Sequence, residues 1–188
     1  SFIKTVCGSF SQYAMNSGIR LSFNSNVSSL PAVFDADKVE KILMNLLSNA
    51  FKFTPSGGEI SVGVDKDGEK VRIQVADTGI GIPDAEKKKV FQRFYQASNR
   101  DASSAGTGIG LSLVEEYARL MKGDISLADN PGGGSLFTLT LPLQEKPENS
   151  ATDGPAVAVP DAGCLFKVLV VDDNPDLRTY LSDSLKPL

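Results

Sequence analysis

Asn45, Asn49 and Lys52 recur at turn spacing in the segment NLLSNAFKFT, and two stretches built on Thr-Gly-Ile-Gly follow, ADTGIGIP from Ala76 and AGTGIGLS from Ala105. On a helical wheel with Asn45 at zero, Asn49 falls at about +40° and Lys52 at about −20°, so the three form one stripe. Asparagine is a poor residue in mid-helix because its amide competes for main-chain hydrogen bonds. A solvated face would account for the stripe, but amide oxygens and an ammonium along one line also suit a magnesium ion and phosphates. For each glycine stretch a tight turn is the simplest reading. A dinucleotide-binding fold fits poorly, because the first stretch lacks a third glycine and meets Pro83, and no strand precedes the second. The absence of Gly-Lys-Ser/Thr excludes a P-loop.

Elements of ordinary type would position these residues. Ile19, Leu21 and Phe23 alternate as in a strand, and Val33-Phe34 reads as a short second one. From Asp37 to Phe53 the period becomes helical. Asp37 and Glu40 have capping-box spacing, and Val39, Ile42, Leu43, Leu46, Leu47, Ala50 and Phe53 make one apolar face. A hairpin follows, with Ile60, Val62 and Val64, a turn through Asp67-Gly68, then Val71, Ile73 and Val75, and it feeds directly into the first glycine stretch. A short helix is expected over Ala85–Phe91, with Lys87, Lys88 and Lys89 as a solvated face. A polar segment runs from Ala97 to Ala105. A second long helix is expected from Gly108 to a C-cap at Gly123, with Leu111, Val114, Ala118 and Met121 facing inward. Strands around 125–128 and 136–141 close the unit, residues 144–165 read as a linker, and an apolar run begins at Lys167.

Composition sets the bounds. The 188 residues are 41% hydrophobic and 22% charged, ordinary values for a soluble globular domain with some remainder, and no apolar run is long enough for a membrane span. A net charge of −4 without a local basic patch gives no attraction to nucleic acid. Cys7 and Cys164 match no metal-ligand spacing and read as two reduced thiols. The sequence starts at Ser1 without a signal peptide and reads as a segment of something longer. It contains no histidine.

The residues carry a resemblance. In this order, NLLSNAFKFT, DTGIGIP, VFQRFYQAS and GTGIGLSLV resemble the N, G1, F and G2 boxes of sensor histidine kinases, and VLVVDDN resembles the start of a response-regulator receiver. That family shares its ATP-binding fold with Hsp90, gyrase and MutL. The resemblance implies an α/β two-layer sandwich, a mixed and mostly antiparallel sheet with helices on one face. It implies a catalytic domain over 1–143, a linker over 144–165, and at 166–188 the first strand and the start of the first helix of a receiver.

The resemblance also implies roles. Asp77 would accept a hydrogen bond from the adenine amino group, a choice of adenine over guanine because a carboxylate cannot donate. Gly79, Gly81 and Ile82 would pass close to the base. Gly106, Thr107, Gly108, Ile109, Gly110 and Leu111 would wrap the phosphates at a helix start, and the polar segment before them would be a lid. Asn49 would ligate Mg²⁺, with Asn45 beside it, and Lys52 would neutralise phosphate charge, so that Asn45 and Lys52 take part in catalysis. Phe53, Phe91, Phe94 and Tyr95 would wall the pocket or serve the core, Arg93 would lie near the phosphates, and Thr138 joins the ATP-binding set. In Hsp90-like ATPases a glutamate occupies the place of Asn45 and activates water; an amide cannot take a proton, so the site should hold ATP for transfer. The implied activity is donation of the γ-phosphoryl group to a histidine on a dimerisation domain absent from this chain, in the cytoplasmic part of a membrane-anchored, dimeric hybrid kinase, with the receiver as a further partner and no nucleic acid. Alternatives are a nucleotide-binding regulatory module without phosphotransfer and, disfavoured by Asn45, a hydrolysing ATPase.

Overall fold

The computed structural model describes residues 2–27, 34–96 and 107–143. The chain divides into two compact units, 1–146 and 147–188, and every described residue lies in the first. The linker, the receiver-like run, Cys164, Gly106, the polar segment and Val33 of the expected second strand lie outside the described residues.

The elements are α1 (Phe2–Gly8), α2 (Ser11–Ser17), β1 (Arg20–Ser25), α3 (Ala36–Phe53), β2 (Glu59–Asp67), β3 (Lys70–Asp77), α4 (Asp84–Lys87), α5 (Gly110–Leu120), β4 (Asp124–Asp129) and β5 (Ser135–Pro142). The strands form one sheet in the order β1-β2-β3-β5-β4, in which β1 and β2 are parallel and every other pair is antiparallel. This is the mixed, mostly antiparallel sheet expected from the sequence.

The period-two pattern of the strands sets which face is covered. Val62 pairs with Val75, which pairs with Phe137, and Ile73 lies between Val64 and Leu139; all are buried on one face under the helices. The opposite face carries Ser61, Gly63, Gln74, Ala76, Thr138 and Thr140. Helix α3 lays Val39, Ile42, Leu43, Leu46 and Leu47 onto this core, each almost fully buried, and burial of such side chains contributes about 1.5–3 kcal/mol apiece. Helix α5 adds Val114 and Ala118 against α3 and the β4 end of the sheet.

Several local expectations are corrected by the geometry. The cap of α3 is Asp35, whose carboxylate accepts from the Lys38 N–H at 3.0 Å and pairs with the Lys38 ammonium, so Asp37 and Glu40 do not form the box. On its apolar face Phe51 is buried, stacked on Phe10 (ring centroids 5.6 Å apart) and edge-on to Tyr13 at 5.2 Å. Phe34 belongs to no strand. Helix α4 stops at Lys87, beyond which three-residue bonds, Lys89 N to Glu86 O and Gln92 N to Lys89 O, mix with a four-residue one from Val90 N to Glu86 O. Helix α5 ends in a Schellman motif, with Gly123 N on Ala118 O and Lys122 N on Arg119 O, both at 2.9 Å. The left-handed residue there is Lys122 (φ +58°) rather than Gly123. Glycine is needed at 123 for a different reason, since a Cβ would lie 2.4 Å from the Thr140 carbonyl oxygen. The helices α1 and α2 were not signalled by the sequence; Ile3, Val6 and Cys7 bury α1, and Ala14 buries α2, against the core. Burial also pushes the Cys7 thiol up to about 11, so it remains a neutral core residue.

Candidate functional site

Asp77 ends β3, where the strand alternation turns its side chain onto the covered face in line with Val75 and Ile73. It is 5% exposed. Its Oδ1 accepts from the Gly79 N–H at 2.8 Å and from the Ser135 N–H at 3.3 Å. Among the described residues no hydrogen bond takes Oδ2. Burial pushes the carboxyl above the ordinary carboxylate range, and the two main-chain donors pull it down without cancelling that effect.

The loop after Asp77 is tied to two elements, Thr78 N donating to Glu59 O at 3.0 Å and Ile80 N to Phe53 O at 3.3 Å. It passes so close to the end of α3 that a Cβ on Gly79 would sit 2.4 Å from the Phe53 oxygen. Glycine is required there by contact, as it is at Gly81 by a φ of +70°. Together these pieces form a narrow, partly open pocket of about 40 Å³ lined by Asn49, Ala50 and Phe53 of α3, Asp77, Gly81 and Ile82, Leu111 of α5, and Ser135 and Phe137 of β5. Its walls are apolar apart from Asn49, Asp77 and Ser135, the composition of a site for a flat ring with a polar edge. A buried carboxylate with one oxygen committed offers an acceptor and no donor, so it suits an exocyclic amine.

The second glycine stretch meets the stripe on α3. A Cβ on Gly110 would lie 2.6 Å from Asn45 Oδ1, while Asn45 Nδ2 donates to Lys41 O at 2.7 Å. The Asn45 oxygen is thereby turned toward the start of α5. Asn49 makes no side-chain hydrogen bond among the described residues and lines the cavity. No side chain caps α5 at Ile109, so its first-turn N–H groups are not claimed by a capping side chain. Gly108, at φ +69°, backs onto Phe94, whose N–H donates to its carbonyl at 2.8 Å. Thr107 is exposed beside it.

Not every expected residue reaches this place. Thr138 lies on the opposite face of the sheet, where it accepts from Gln74 Nε2 at 3.4 Å, because strand alternation gives the covered face to Phe137 and Leu139. Arg93 pairs with Glu116 of α5 at 3.0 Å and borders a separate cleft with Ser112, Glu115 and Arg119. Phe94 is 73% exposed and does not wall the cavity, nor does Tyr95; Phe91 instead packs edge-on against Phe137 at 6.4 Å. Lys52 Nζ stands 5.2 Å from the Phe53 ring centroid, at the margin of the cavity rather than in its wall. Lys87 is no solvated face: its ammonium bridges Asp84 and Asp129, 2.6 Å from each. The sequence reading passed over Ala50, Ser135 and Phe137, although Ser135 follows three consecutive glycines, a signal that the backbone there approaches something closely.

The comparisons with known proteins agree with this geometry. The sensor histidine kinase TmoS of Ectopseudomonas mendocina is 39% identical over 184 residues, covering 83% of this chain and 19% of its own. The chain thus spans about a fifth of the length of that relative. Among solved structures, the catalytic domain of histidine kinase ThkA in a nucleotide-free form superposes with a TM-score of 0.68 at 26% identity, covering 76% of this chain and 92% of that one. Full-length ShkA in complex with AMPPNP superposes with a TM-score of 0.68 at 27% identity, covering 77% of this chain and 30% of that one. Residues 34–145, from the approach to α3 to just beyond the last strand, match the family model, and the chain belongs to the histidine kinase-, DNA gyrase B-, and HSP90-like ATPase family.

Proposed function

We propose that this domain binds Mg-ATP and donates the γ-phosphoryl group to a histidine on a dimerisation domain of the same protein. The observation that carries the reading is Asp77, buried at the cavity with Oδ1 held by two main-chain N–H groups and Oδ2 left for a ligand donor. Adenine presents an amine to such an acceptor and guanine a carbonyl, so the site discriminates between them. Phe53, Ile82, Leu111 and Phe137 supply flat apolar contact for the base, and Gly79 and Gly81 let the loop close on it. The uncapped first turn of α5, with Gly108, Ile109 and Gly110, receives phosphate oxygens. Gly106 and the exposed Thr107 belong to the same role.

The amide oxygens of Asn45 and Asn49 fit a hard divalent cation, which takes oxygen ligands and keeps part of its water shell. Bound there, Mg²⁺ would screen the charge of the phosphates. Lys52, at the cavity margin, adds a positive charge on the same side of α3. Asn45 has no proton-accepting group, so nothing at its position activates water, and the phosphoryl group is kept for another acceptor. The chain contains no histidine, so that acceptor lies outside it. The receiver-like run VLVVDDN supports a hybrid kinase, with residues 144–165 as linker. The likeness to sensor histidine kinases supports a cytoplasmic domain of a membrane-anchored dimer. No described helix is long and apolar enough to cross a membrane.

The test is a transfer assay with γ-labelled ATP. The chain alone should acquire no label and release phosphate slowly, and addition of a separately made histidine-bearing helical hairpin from the same protein should label that hairpin. Steady hydrolysis by the chain with no transfer would overturn the reading in favour of an ATPase; tight ATP binding with neither would favour a regulatory module.

A further inference from the structure

The turn between β4 and β5 holds a side chain that none of these roles uses. Asn130 Nδ2 donates to the main-chain oxygen of Asp77 at 2.9 Å and to that of Gly133 at 3.0 Å. The turn itself closes through Asn130 N on Gly134 O at 3.2 Å and Gly133 N on Asn130 O at 2.8 Å. One amide group therefore fastens the turn to the end of β3, a different part of the sheet. The fastening brings the turn directly onto Asp77. A Cβ on Gly134 would lie 2.2 Å from the Asp77 main-chain oxygen and 2.6 Å from Oδ1, and its φ of +85°, like the +88° of Gly133, also favours glycine. The next residue, Ser135, delivers its N–H to Oδ1.

We propose that Asn130 is a positioning residue of the nucleotide site, its amide stapling the Gly133–Gly134 turn onto Asp77 so that the Ser135 N–H holds Oδ1 and Oδ2 is the oxygen presented to the base. The inference rests on the reading of Asp77 as the base-recognising residue. Of the two donors on Oδ1, Gly79 belongs to the loop that follows Asp77, whereas Ser135 opens β5, paired with Asp129, directly after the turn that Asn130 fastens. With the staple gone the ladders still hold β5, but the turn leading into Ser135 is free to shift, so its N–H is aimed less firmly at Oδ1 and the preorganised geometry of the carboxylate is loosened.

Calorimetric titration of the 188-residue chain with ATP and Mg²⁺ tests this. Asn130→Ala should weaken ATP binding about tenfold, the effect of one misplaced hydrogen bond in a dry site. In an Asp77→Asn background the same substitution should have no further effect, because the staple acts through that carboxylate. A lowered melting temperature with ATP affinity within about twofold of wild type would overturn the proposal, and so would an equal loss in both backgrounds. Asp77→Asn binding ATP as tightly as wild type would overturn the reading of Asp77 itself; impaired Asp77→Asn beside an unaffected Asn130→Ala would remove the staple alone. Should Asn130→Ala not fold, the wild-type chain decides. Its Asn130 side-chain amide resonances should shift on ATP addition with the same midpoint as the Gly79 N–H, and an amide unmoved at saturating ATP would overturn the proposal.

Discussion

Asp77 is held in place by a burial that works against its charge. Its folded pKa lies above the ordinary carboxylate value, so the ionised form costs the folded chain stability. That cost is absent below the ordinary carboxylate range, grows as pH rises from there through the raised folded value, and is complete above it. Asp77→Asn should therefore raise the melting temperature of the nucleotide-free chain at pH 7, and the gain should shrink as pH is lowered toward the carboxylate range. Scanning calorimetry at several pH values measures it; a lower melting temperature at pH 7 would mean that the two main-chain hydrogen bonds outweigh the buried charge. The two glycines of the second stretch should differ in kind. At Gly108 a Cβ meets main-chain atoms of Phe94 at 2.7 Å with φ at +69°, whereas at Gly110 it meets the movable tip of Asn45. Gly108→Ala should cost roughly 1–2 kcal/mol in denaturant unfolding, and Gly110→Ala should cost less stability while disturbing Asn45.

At the scale of elements, the site is an agreement between α3, the β3–α4 loop, the start of α5 and the β4–β5 turn. Lys87 ties one of these parts down, bridging Asp84 at the start of α4 and Asp129 at the end of β4. Lys87→Ala should speed amide exchange across residues 84–90 while leaving β2 and β3 protected; unchanged exchange in 84–90 would show the bridge to be incidental. How far the sequence disclosed these elements follows from the strength of each local signal. The 3.6-residue period of α3 and the alternation of β2 and β3 were legible because long runs of apolar residues repeat there without interruption. The short α1 and α2 gave too few turns for a period to show. Asp35 was missed as a cap because Asp37 and Glu40 offered the more familiar spacing. In the candidate site, Asn49, Phe53, Asp77, Gly81, Ile82 and Leu111 were legible as parts of motifs and do line one cavity. Thr138 was misplaced because a strand's face is set by register against its neighbours, which a single strand does not declare. Ser135, Phe137 and Asn130 escaped notice for the complementary reason, since only the fold brings them to Asp77.

For the whole molecule, the chain contains no histidine and spans about a fifth of the length of the TmoS relative; under the proposed function the phosphoryl acceptor is not among its residues. Its helices cover one sheet face and leave the other polar, so the cavity opens among α3, α5 and the glycine loops rather than through the sheet. The central claim is that this cavity takes the adenine of ATP through Asp77. Calorimetric titration of the chain with ATP and Mg²⁺, repeated with GTP and with Asp77→Asn, tests it most directly. The account predicts saturable ATP binding, GTP binding far weaker, and a ten- to hundredfold loss in Asp77→Asn, the cost of roughly 1–3 kcal/mol for placing an amide donor against an amine. Equal affinity for ATP and GTP, or an Asp77→Asn chain that binds ATP as wild type does, would contradict it.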